Sequence, residues 1–171
     1  MLQFTGFNTF VADVGLLGGC FYFELQVVEI NGPQQFGFCT EGFEPREIPK
    51  GEGPGDDAWS WAVDGVRQKK WHDATALQGS GAAYGSKWAV GDVIGFALDM
   101  RAADAAIFSV SVNGSFDAPN GPAFTDIHAP YLSPAFTGAG QYRVNFGDRP
   151  FVHAPPDAEY VSVHQFNRQQ Q

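Results

Sequence analysis

The stretch KWAVGDVIGFALDMRAADAAIFSVSVNG, Lys87 to Gly114, constrains what this chain can fold into more than any other. After a turn at Gly91-Asp92, Ile94, Phe96, Leu98 and Met100 fall on one side of an extended segment and Val93, Gly95, Ala97 and Asp99 on the other. A period of two over that length is a strand. Beyond the short connection Arg101–Ala105, Phe108, Val110 and Val112 alternate with Ser109 and Ser111 in a second strand. That strand closes on Asn113-Gly114, the dipeptide that most readily supplies the positive φ angles of a tight turn. Two strands with one apolar face each are not stable alone, so the rest of the chain must cover them.

Composition says what that cover is made of. Sixteen Phe, five Tyr and four Trp among 171 residues are bulky strand formers, while 21 Gly and 11 Pro supply turns, which points to an all-β domain. A chain of this length buries roughly 70% of its unfolded surface, enough for a core without staples. The formal net charge of −9 argues against phosphate backbones, so nucleic acid is excluded as a partner. No run approaches the ~20 apolar residues of a membrane span, and the N-terminus has no basic segment followed by an apolar signal core. No membrane insertion and a cytoplasmic location are expected.

Other strands follow in order. Met1–Val14 carries short apolar runs around Phe4, Phe7 and Phe10, an edge strand or two. In Cys20–Ile30, Phe21, Phe23, Leu25 and Val27 alternate with Tyr22, Glu24, Gln26 and Val28; Phe36 and Phe38 continue the sheet past the Asn31-Gly32 turn. If these two segments form a hairpin, Cys39 falls opposite a residue near Leu25, away from Cys20, so both cysteines read as free core thiols, which suits a reducing compartment. Trp59 and Trp61 share one strand face and read as core. Lys69–His72 follow the Asp64-Gly65 turn; Ser115–Pro130 reads as loop anchored by Phe124; Leu132–Phe136 and Tyr142–Phe146 read as two closing strands; no helix is expected. Many short strands with turns between them make two stacked antiparallel sheets.

Catalytic chemistry finds little support. On the Tyr22 face Glu24 has no second acid at the spacing a glycosidase pair needs, and Glu29 lies on the other face. His72, His128, His153 and His164 are far apart, with no metal-ligand spacing. No Ser sits in a G-x-S-x-G elbow, and Cys39 with a distant His, the one conceivable thiol pair, lies in an alternating apolar strand. No catalytic residue, metal or cofactor is assigned. Long loops are where function concentrates, and Glu41–Asp57 is the longest, rich in acids. Phe43 and Ile48 have no obvious sheet to join there. With Arg46, and with Trp71, Tyr84 and Trp88 beside the next long loop, they are the candidate partner-binding residues.

The order of several blocks resembles the SPRY domain: Gly19-Cys20-Phe21-Tyr22-Phe23-Glu24-Leu25, Asp57-Ala58-Trp59-Ser60-Trp61, Gly91-Asp92-Val93-Ile94-Gly95 with Leu98-Asp99, Phe108–Gly114, Ala123-Phe124 with Tyr131–Ala135, and Asn145-Phe146-Gly147. The resemblance covers about residues 9–152. It implies a bent, concanavalin-like β-sandwich that serves as a protein-recognition module, often within a longer protein, binding through variable loops at one end. The corresponding loops here are Thr40–Asp57, Trp71–Trp88, Ser115–Pro130 and Thr137–Gln141. Residues 1–8 would form an N-terminal edge segment and 153–171 a C-terminal extension and tail, and the region before Cys20 is too brief for the extra subdomain of immune-type relatives. Members that bind short Asn-containing peptides use a Tyr before the Ser-Trp pair and a Trp-Gly step before the last strand. Here stand Ile48-Pro49-Lys50 and Thr137-Gly138-Ala139-Gly140, which argues against that peptide. The expected function is non-enzymatic binding of a protein or peptide, with the loop acids selecting a basic one. The alternative is a lectin-like module stacking Trp71, Tyr84 or Trp88 on sugars.

Overall fold

The computed structural model describes residues 1–45, 53–74 and 81–169. The Lys87–Gly114 stretch forms the expected hairpin: β7 (Val93–Met100) pairs antiparallel with β8 (Ala106–Val112). Asn113 and Gly114 both take positive φ, 50° and 83°, and Val112 and Ser115 bond reciprocally across the two-residue turn. Before it come β1 (Leu2–Val11), β2 (Gly19–Ile30), β3 (Gln35–Cys39), β4 (Ser60–Asp64), β5 (Lys69–His72) and β6 (Ala82–Ala83). After it come β9 (Gly121–Ile127), β10 (Ser133–Asn145), β11 (Tyr160–Ser162) and a short helix, α1 (Val163–Gln169).

The strands are continuous in the order β6-β5-β4-β3-β10-β2-β7-β8-β9, with β1 on β10 and β11 on β2. Every pairing is antiparallel except β11 with β2. What makes two layers of this ribbon is β10. Its first half pairs with β3 (Ser133↔Cys39 to Thr137↔Gln35) and its second half with β2 (Gly140↔Ile30 to Asn145↔Glu24), so the sheet curls over itself there. Phe38 from one layer meets Phe23 and Phe108 of the other, at ring separations of 5.9 and 4.9 Å, and Phe23 stacks on Phe96 at 4.8 Å. The all-β, bent sandwich is as expected.

Several local expectations are corrected. The segments 20–30 and 35–39 do not form a hairpin, because β10 lies between them: Asn31 N–H donates to Ala139 O (3.1 Å) and the Gln34 amide to the Tyr142 hydroxyl (2.5 Å). Cys39 therefore faces Ser60 and Ser133, and Cys20 faces Asp99 and Tyr160; both thiols are free and buried. The two closing strands are one. Residues Thr137–Gly140 look like a loop because the strand needs small residues where it bends: a Cβ on Gly138 would press the Phe36 ring at 3.0 Å, and one on Gly140, at φ +121°, would stand 2.1 Å from Glu29 O. The expected binding loop Thr137–Gln141 is thus interior strand, with Thr137 fully buried. Within Ser115–Pro130, β9 is an edge strand that tolerates Pro122, burying Ala123 and Ile127 against β8. The residues after Pro150 are also structural: β11 adds to β2, and Phe166 of the unexpected helix packs on Phe21 at 5.0 Å.

The outer faces of the ribbon are covered too. Glu24, 2% exposed, accepts the Val152 and His153 amides at 2.8 and 2.7 Å, tying the chain after β10 across β2. On the other layer, Gln35 donates to Asp56 (2.8 Å), and Cys39 packs with Phe43 and Ala135. Because Phe38 fills the space between layers, Phe38→Ala is expected to destabilise the domain by roughly 3–5 kcal/mol in urea unfolding, without loss of the cooperative transition. A cost below about 1 kcal/mol would show that the layers do not meet there.

Candidate interaction site

Strand register gathers several chain ends at one end of the sandwich. The pairs Cys39↔Ser60, Ser133↔Cys39 and Trp61↔His72 put the exit of β3, the entry to β4, the exit of β5 and the entry to β10 side by side. β9 joins them from the opposite layer: Lys70 donates to Ala123 O (2.5 Å), His72 meets Phe124 at 6.4 Å, and Asp126 and His128 at the strand's exit reach the same rim. A cleft of about 310 Å³ opens among these ends. Glu41, Trp59, His72, Asp126, His128 and Tyr131 contribute to its walls.

Trp59 dominates it. The sequence pairs Trp59 with Trp61 as core, but the strand begins one residue later, at Ser60, and Trp59 is 55% exposed while Trp61 is 7%. The cause is local. The Asp57 carboxylate accepts both the Trp59 amide (3.1 Å) and the Ser60 hydroxyl (2.5 Å), a tight turn that swings residue 59 outward. One face of the indole lies over Gly42, where an added Cβ would come within 2.5 Å of the ring, and Trp59 O accepts the Thr40 amide at 2.9 Å. The ring is held in place yet presents an open surface.

The polar walls are also positioned. Tyr131 donates to Glu41 Oε2 at 3.0 Å; desolvation, and then the Glu41 carboxylate, push its phenol above the ordinary range, so it stays a donor. Asp126 Oδ1 lies 2.8 Å from His128 Nε2, with both side chains largely exposed. His72 stacks on Trp61 at 4.6 Å and its Nδ1 lies 2.9 Å from Ser60 O, which ties it to the wall. Among the described residues, the lining carries two carboxylates and no Lys or Arg.

Of the sequence candidates, Arg46 and Ile48 lie outside the described residues. Phe43, 8% exposed, has found a sheet to join, the outer face of β3 and β10 through Cys39 and Ala135. Trp88 is 4% exposed, between Phe36 and Phe96 in the core, and Trp71 is 5% exposed beneath the Arg67 guanidinium. Tyr84 is half-buried with its hydroxyl donating to Gly121 O (2.5 Å). The rings of Trp71 and Trp88, offered by the sequence as candidate anchors, are thus covered and present no open face to a partner or a sugar. Trp59 was missed because alternation extended from Trp61 assigns it inward; the signal against that was Asp57 two residues before it, a side chain able to cap the turn.

Reactive groups are muted. Burial, then the Asp57 charge, pushes the Cys39 thiol up to about 12, and burial with the Asp99 hydrogen bond does the same to Cys20. Glu24 is occupied by backbone amides. Among the described residues, no three His, Cys, Asp or Glu side chains group as metal ligands, and no helix is long and apolar enough to cross a membrane. Neither thiol is expected to react with a disulfide reagent in the native domain at pH 8, and both should react after unfolding. The same shifts fix a pH trend. The folded chain holds protons that the unfolded thiols release from about pH 8.5, so stability should be full below that pH and fall as pH climbs toward 12. Rapid native labelling, or a melting temperature that rises above pH 9, would contradict this.

Residues 20–149 match the SPRY domain family. The E3 ubiquitin-protein ligase RKP of Arabidopsis thaliana is 30% identical over 151 residues, which is 86% of this chain and 11% of that ligase. Among solved structures, the SPRY domain of human HERC1 matches with a TM-score of 0.60 at 18% identity, over 85% of this chain and 86% of that one, a likeness of fold.

Proposed function

This chain belongs to the SPRY family, whose members generally act as non-catalytic protein-interaction modules in larger proteins such as ubiquitin ligases, and we propose that it binds a protein or peptide through the cleft around Trp59. The observation that carries the reading is a large aromatic ring left 55% exposed at the meeting point of five strand ends, while the other three tryptophans are buried. Exposed indoles fixed from behind are the kind of anchor on which binding energy concentrates. Glu41 and Asp126 beside it, in a chain of net charge −9, favour a basic partner and raise its rate of encounter. Since this chain matches only 11% of the plant ligase's length, the work of such a module would be to bring a protein to chemistry performed elsewhere in a longer polypeptide. The muted thiols and the structural employment of Glu24 support a non-enzymatic role.

Trp59→Ala removes the anchor without opening the core, because the ring lies outside it. Quantitative affinity capture with the wild-type domain and this variant should show specific partners weakened by about tenfold or more, with the melting temperature changed by no more than about 2 °C. Equal capture by the two proteins would place binding at another surface.

A further inference from the structure

We infer that the Trp59 cleft is a receptor for an arginine side chain, held between the indole face and the carboxylates of Glu41 and Asp126. The inference rests on the reading of this cleft as the protein-binding surface and deepens it by naming the group it takes. At about 310 Å³, the cleft has room for one long side chain and the backbone beside it. Its lining supplies a ring face, two carboxylates and a tyrosine hydroxyl, and among the described residues no Lys or Arg lines it; Tyr131 holds Glu41 Oε2 and His128 stands 2.8 Å from Asp126 Oδ1. Carboxylates beside an open indole attract a cation, and the ring selects which. A guanidinium is planar, weakly hydrated, able to lie flat on an indole and to fork onto a carboxylate; an ammonium is a strongly hydrated point charge that does neither as well.

Among the described residues, the protein makes this arrangement once within itself. The Arg67 guanidinium lies over the Trp71 ring, 4.3 Å from its centroid, while its Nε bonds the buried Asp64 carboxylate. There indole, guanidinium and carboxylate are all intramolecular, and the indole is 5% exposed. At Trp59 the indole and the carboxylates stand without a guanidinium among the described residues, and the indole is 55% exposed. The fixed posture of the site fits a receptor. Gly42 supports the ring from behind and Tyr131 holds Glu41, so little ordering is needed when the cation arrives.

The test uses three capped tripeptides, acetyl-Gly-Arg-Gly-amide and its lysine and citrulline counterparts, titrated into the domain and followed by tryptophan fluorescence and by backbone amide shifts. The arginine peptide should bind saturably, with shifts centred on Glu41, Trp59 and Asp126, and about three- to fivefold more tightly than the lysine peptide. The citrulline peptide, which keeps the shape and loses the charge, should not saturate. Trp59→Ala should abolish binding, and Glu41→Gln, which leaves the ring in place, should weaken it by about threefold or more. Equal affinity for lysine or citrulline, no saturable binding of the arginine peptide, or binding that survives Trp59→Ala would each overturn the inference. If partner capture depends on Trp59 but the arginine peptide does not bind, the arginine assignment alone fails. If capture ignores Trp59, the reading of the cleft fails first.

Discussion

The interleaving of phenylalanine rings between the two layers is the contact on which the rest of the structure depends. Phe23 stands at its centre, stacked on Phe96 and meeting Phe38, Phe136 and Phe146 edge-on at 5.3–5.9 Å. Those rings come from β2, β7, β3, β10 and the residue just past β10, so one side chain touches both layers and the strand that joins them. Edge-to-face packing of this kind adds to the area it buries and fixes how the layers sit on each other. Strand ends that are distant in sequence, at residues 40, 59, 72, 128 and 131, are brought to one rim because the seam sets the layers' offset.

The curl in β10 is the second half of that constraint. A strand of 13 residues cannot serve both layers unless it bends, and it bends at Gly138–Gly140, where backbone and rings approach too closely for side chains. The register shift against β2 between Gln141 and Tyr142 falls at the same place. With the inner faces committed to the seam, the outer faces are closed by chain rather than by a further sheet: the segment after Pro150 through Glu24, and the region around Phe43 and Asp56 over β3.

The sequence made the strands with strict alternation legible. The β7–β8 hairpin, β2 and the Asn113-Gly114 turn are where periodicity and turn chemistry place them, and the block order around them pointed to the family. It was least legible where one residue type serves two purposes. Glycines at 138 and 140 look like loop and are a strand's answer to crowding; Pro122 looks like a strand breaker and sits on an edge that needs no donor. Pairing partners were hidden as well, since β10 enters between β2 and β3 from about a hundred residues away and no local signal announces it. At the candidate site, the sequence singled out aromatic residues next to long loops without showing which of them the fold covers. Trp71 and Trp88 have neighbours that cover them, whereas Trp59, one step ahead of its strand, is turned out by a single carboxylate.

Three of the four indoles are covered, Trp61 and Trp88 in the core between the layers and Trp71 against Gly55, Gly81 and the Arg67 guanidinium, and the proposed cleft depends on Trp59 being the one left open. Acrylamide quenching of tryptophan emission, compared between the wild-type domain and Trp59→Phe, measures that division directly. The account predicts a distinct accessible fraction in the wild type that disappears in Trp59→Phe, leaving three indoles shielded until the domain unfolds. An accessible fraction that persists in Trp59→Phe would mean that Trp61, Trp71 or Trp88 faces solvent, and would contradict the division of the indoles on which the proposed cleft rests.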